Sequence, residues 1–172
     1  MLQIKYLLIT LGIVGLIVLY VFEFEWLNRT FHSRSLVFIF LLLGALVGYL
    51  LSKKLRKTGK DWVEKLQLTL LIAVPLALFA PLLGSLSNRL LSFRAEQSIP
   101  VELVEEKAYF ASIFGVLQDE KVKPTGYRSF FYKDQQLLRL QSKTPLFEGA
   151  EQGDTVQLPL KKGLWGFEFV PK

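Results

Sequence analysis

The chain has 172 residues, 51% of them hydrophobic, no cysteine and a formal charge of +6. That composition excludes disulfides, thiolate nucleophiles and cysteine-ligated metals, and it is too apolar for an ordinary soluble domain. The charge is uneven: residues 1–94 hold eleven Lys/Arg against four Asp/Glu, residues 95–172 ten against eleven. The C-terminal part therefore lacks the basic excess a nucleic-acid binder needs.

The first apolar run, residues 6–22, is too long for a signal-peptide core and has no small-residue cleavage site after it, so it reads as a retained membrane helix. Residues 23–35 form a short loop with Phe24, Trp26 and Phe31, aromatic residues expected at headgroup level. Asn28-Arg29-Thr30 matches a glycosylation sequon and reads as unmodified. Residues 36–51 make a second span, slightly short, which predicts snorkelling flanks or local thinning of the bilayer. It contains Gly44 and Gly48 in GxxxG spacing.

Residues 52–65 carry Lys53, Lys54, Arg56, Lys57, Lys60 and Lys65. With Lys5 this makes seven basic residues on one side against Arg29, Arg34, Arg89 and Arg94 on the other. The positive-inside rule makes the lysine-rich loop cytoplasmic; the same cluster is suited to anionic lipid headgroups. Gly59-Lys60-Asp61 lacks the spacing and the following Ser/Thr of a P-loop.

Residues 66–86 contain no charged residue and are long enough to cross a bilayer as a helix, which takes about 20 apolar residues. Pro75 and Pro81 predict kinks. Thr69, Ala73, Ala77, Ala80 and Gly84 recur at steps of four, four, three and four, which keeps them on one face suited to close helix approach. Three spans place residues 1–94 in the membrane part. Residues 95–172 become an extracytoplasmic domain of a cell (inner) membrane protein. Residues 87–98 read as a linker: a short surface-lying amphipathic segment or the end of the third helix.

From Ile99 the texture changes to short runs separated by turns. Strands are predicted at 101–105, 108–117, 127–133, 136–141, 155–160 and 164–170, with hairpin turns at 133–135 and 161–163. The Tyr109–Leu117 run is apolar on both faces, which suits a doubly buried strand or one facing a partner. The predicted core is Tyr109, Phe110, Phe114, Phe130, Phe131, Phe147, Trp165 and Phe167. Strands this short and this many predict a small OB-like or SH3-like barrel. Gly153-Asp-Thr-Val-Gln-Leu158, a following Gly163-Leu164 and Phe169-Val-Pro171, placed after membrane helices, resemble the NfeD-like membrane proteins. That resemblance implies an OB-like C-terminal domain and a membrane-scaffold role; the glycine-rich opening of that family's barrel is missing here.

Chemistry is sparse. His32 is the single histidine and sits in a loop, so a histidine triad or metal set has little to draw on. Glu105-Glu106 and Asp119-Glu120 are the acidic pairs available for acid–base work, and nearby lysines make a solvated face the simpler reading. The span centres carry no ionisable group, which argues against a transporter or pump acting alone. The sequence reading is therefore a non-enzymatic membrane subunit without cofactor or metal. It assembles with itself or other membrane proteins through its helices, contacts lipid, and presents a β domain for docking. The alternatives are a sensor signalling through the proline-bent third helix, the NfeD-like scaffold, and, less favoured, a membrane enzyme.

Overall fold

The computed structural model describes residues 2–55, 61–110 and 123–171. Three long helices precede an antiparallel, curled five-stranded sheet: α1 (Leu2–Asn28), α2 (Ser33–Leu55), α3 (Trp62–Leu90), β1 (Gln97–Tyr109), β2 (Gly126–Lys133), β3 (Gln136–Ser142), β4 (Thr155–Lys162) and β5 (Glu168–Phe169). All three helices are long and apolar enough to cross a membrane. The chain divides into two compact units, residues 1–24 with 32–92 and residues 25–31 with 93–172.

In the helical unit each helix outruns its apolar stretch. The second span is a 23-residue helix, because Ser33-Arg-Ser and Ser52-Lys-Lys-Leu are helical too. The helix as a whole rises about 34 Å over its 23 residues, with its apolar stretch still confined to residues 36–51. Lys53 and Lys54 in the last turn of α2 and Arg89 in the last turn of α3 complement the negative ends of their helix dipoles. The α3 helix stays continuous through Pro75 and Pro81, as membrane helices do when neighbours and hydroxyls absorb the lost backbone bonds. It runs to Leu90, so the first part of the predicted linker is helix.

The sheet order is β3-β2-β1-β4-β5. One long strand, β1, takes in the predicted 101–105 and runs on without a break through residues 108 and 109 of the predicted 108–117. It pairs with β4 through Gln97–Glu102 and with β2 through Glu102–Tyr109. A register shift between Leu103 and Glu105 bends it, the usual effect of a bulge on a sheet that must curl. Residues 111–117 of the predicted second strand lie outside the described residues. Asp134 and Gln135 both have positive φ, 50° and 63°, and close the β2–β3 hairpin with the twist a two-residue turn favours.

The predicted strand 164–170 shrinks to Glu168–Phe169, because Gly166 at φ 87° closes a turn that takes Leu164 and Trp165 out of the sheet. The core of this unit is Val101, Leu103, Phe131, Leu140, Phe147, Leu158, Leu160 and Val170, joined by Phe31. Of the predicted aromatic core, Phe131 and Phe147 are buried, Tyr109, Phe130 and Phe167 half-buried, and Phe110 and Trp165 exposed. Phe114 lies outside the described residues. Alternation sends Leu158 and Leu160 inward, as the period-two pattern requires.

Candidate functional site

The closest helix contact runs along α2 and α3. A Cβ built on Gly44 would fall 2.5 Å from the Leu76 carbonyl oxygen and 2.6 Å from the Ala80 Cβ. One built on Gly48 would fall 2.5 Å from the Ala73 Cα, and one on Gly84 2.4 Å from the Phe40 ring. Gly44, Gly48, Ala73, Ala77, Ala80 and Gly84 thus share one seam, where backbones approach because side chains are absent. Thr69 uses its hydroxyl within its own helix, donating to the Lys65 carbonyl at 2.8 Å. Pro81 is buried while Pro75 is exposed. Lys53 and Lys54 are exposed, the former 5.1 Å from the Tyr49 ring centroid. Arg56, Lys57 and Lys60 lie outside the described residues.

A polar cluster that the sequence reading missed sits near the C-terminal ends of α1 and α3. Glu23 is 3% exposed. Its Oε1 accepts from the Ser85 hydroxyl at 2.8 Å, and its Oε2 pairs with Arg89 Nη2 at 3.0 Å. Burying a carboxylate is costly unless it is paired and hydrogen-bonded, and Glu23 has both kinds of partner. The signal available in sequence was an acid directly after an apolar run, with Arg89 one turn beyond Ser85 on another helix. Elsewhere α1 is open: residues 10–19 are exposed throughout, and a side chain added at Gly12 or Gly15 would meet nothing within 4 Å.

In the β unit, the loop between α1 and α2 has a structural role that hydropathy hid. Thr30 bridges Phe169 in antiparallel fashion. The Phe31 amide donates to the Glu168 carbonyl at 2.8 Å, and the Val170 amide to the Arg29 carbonyl at 3.0 Å. Residues 29–31 therefore extend the sheet beyond β5. Phe31 is 5% exposed, edge-on to Phe131 at 6.0 Å. It is a core residue of the β unit and not the headgroup-level aromatic that its loop position suggested. Trp26 stands edge-on to Phe169 at 6.3 Å. Lys133 lies over the Phe31 ring and pairs with Glu168, so β2, β5 and the inserted segment meet.

Of the acidic pairs, Glu106 is a loop clamp: it accepts from the Ser129 hydroxyl at 2.6 Å and from the Leu146 and Phe147 amides at 3.0 and 3.2 Å. Glu105 pairs with Lys107. Asp119 and Glu120 lie outside the described residues. His32 is exposed, and its carbonyl accepts from the Ser35 and Leu36 amides at the start of α2. Among the described residues no group of three His, Asp or Glu side chains converges as a metal site.

No protein family, characterised protein or solved structure matches this chain.

Proposed function

We propose that this chain is a non-enzymatic subunit of a membrane assembly, joining copies of itself or other membrane proteins through its helices and offering its β unit as a docking surface. The open length of α1 carries the reading. Where α2 and α3 are sealed to each other by glycine and alanine, α1 presents Gly12 and Gly15 with no neighbour. Helices associate in lipid by close van der Waals packing at such small residues. Extraction in mild detergent followed by native mass spectrometry tests this. The expected result is a defined homo-oligomer or complex; a discrete monomer with no co-purifying subunit overturns it.

The lysine-rich loop that follows α2 supports a cytoplasmic location for that loop and an extracytoplasmic β unit. Residues 25–31 and 93–172 fold together, and one folded unit cannot straddle a bilayer. Two intervening spans, α2 and α3, return the chain to the same side. The chain has no cysteine, so a single Gln152→Cys variant reports orientation cleanly. It reacts with an impermeant maleimide on intact cells if the reading is right, and only after lysis if it is inverted.

A second reading is favoured by the inserted segment. Because residues 29–31 pair with β5 and lead into α2, which packs along α3, the sheet edge has a continuous route to the proline-bearing third helix, as a sensor requires. Pro75→Ala should then alter amide exchange at Phe31; unchanged exchange removes the sensor reading.

A further inference from the structure

We propose that the β4–β5 turn is a lipid-docking tip that inserts Leu164 and Trp165 among anionic headgroups of the membrane the helices cross. The turn is tight: the Gly163 amide donates to the Phe167 carbonyl at 2.9 Å and the Gly166 amide to the Gly163 carbonyl at 3.1 Å. Its apex is nevertheless apolar, with Leu164 47% and Trp165 52% exposed. Other turns of the same unit are polar at their apex, with Asp134-Gln135 between β2 and β3 and Glu151-Gln152-Gly153 before β4. Turn geometry alone therefore does not call for Leu-Trp here. Tryptophan favours the interfacial layer, where its ring is half in lipid and its N–H stays wet.

The charge around the apex matches. Lys161 and Lys162 end the strand that leads into it, and Lys162 lines a cleft of about 280 Å³ whose other charged residues are Arg94, Lys133, Asp134 and Glu168, so that with Lys161 four cations face two carboxylates. Residues 95–172 as a whole carry ten Lys/Arg against eleven Asp/Glu, so this is a local basic concentration on an otherwise balanced domain. Basic residues beside an exposed aromatic tip are suited to anionic phosphate headgroups. Covalent continuity limits the distance to the bilayer. Arg94 is four residues past the end of α3, a reach of at most about 14 Å. Phe169 bridges Thr30, two residues past the end of α1. This contact goes beyond the assembly reading and does not depend on it.

The test uses the purified full chain carrying a single cysteine, Leu164→Cys, labelled with a polarity-sensitive fluorophore. It is reconstituted at low protein density in vesicles of phosphatidylcholine alone or with phosphatidylglycerol. We expect a blue shift and a several-fold intensity gain with phosphatidylglycerol, a smaller change without it, and loss of the gain in a Lys161→Glu, Lys162→Glu background. Gln152→Cys should report an aqueous setting in both vesicles. Trp165→Cys provides a second labelled position if Leu164→Cys does not fold. Aqueous emission at both apex positions, equal emission in the two lipids, or emission that follows protein density instead of lipid composition would overturn the proposal; the last outcome would assign the tip to a second copy.

Discussion

Gly48 of α2 and Gly12 of α1 are both glycines in apolar helices, yet they meet opposite surroundings. A methyl group on the first would fall 2.5 Å from the Ala73 Cα, and one on the second would meet nothing within 4 Å. The α2–α3 pair is fastened along its length by missing side chains. The described side chains of α1 are instead held near its C-terminal end, by Glu23 to Ser85 and Arg89 in the helical unit. Small residues in a span thus mark permission for close approach, and the partner has to be found separately.

The largest effect falls where α1 gives way to the β unit. Phe31→Ala removes a ring packed against Phe131 in that unit's core, and should cost about 4 kcal/mol, typical of a buried phenylalanine. Amide exchange at Leu158 and Leu140 in denaturant would register it. Exchange unchanged there would mean that residues 25–31 are dispensable to the β unit. Next, Arg89→Ala strips the cation from Glu23, which stays buried. Breaking a buried pair from one side costs about 3 kcal/mol or more, tempered here because Arg89 is partly exposed. Thermal unfolding in detergent should fall accordingly, and Glu23→Gln together with Arg89→Ala should recover part of the loss. Gly48→Ala comes third. Its methyl group collides with the Ala73 backbone, and overpacking of this kind costs about 2 kcal/mol, seen as earlier separation of α2 from α3.

What was legible in the sequence follows from which interactions have a short period. The three spans and the small-residue stripe are local patterns, read directly from runs of apolar residues and from steps of three and four. The alternation of Val156, Leu158 and Leu160 likewise marks a strand with one inward face. The contribution of Phe31 to the β unit was hidden, because Phe131, whose ring it packs against, lies 100 positions away and its own neighbours read as an interfacial loop. Trp165 was misplaced for the opposite reason. Its alternation with Phe167 and Phe169 continued a strand pattern through Gly166, whose φ of 87° turns the chain instead. Glu23 was passed over because ionisable residues at a span's edge usually snorkel; its burial depends on Ser85 and Arg89, sixty-two and sixty-six residues on.

The smallest expected change on the isolated chain is the most telling one. Gly12→Leu adds a side chain where there is open space, and glycine in a helix costs up to about 1 kcal/mol relative to good helix formers. The melting temperature in detergent should therefore hold or rise slightly, in contrast to Gly48→Ala. If α1 is the face through which copies or partners assemble, the same substitution, paired with Gly15→Leu, blocks the close approach that small residues permit. Native mass should then drop to the single chain while the α2–α3 seam stays intact. A double variant that keeps both its stability and its assembly mass would leave α1 facing lipid, and the subunit contact would have to be sought on the outer faces of α2 and α3.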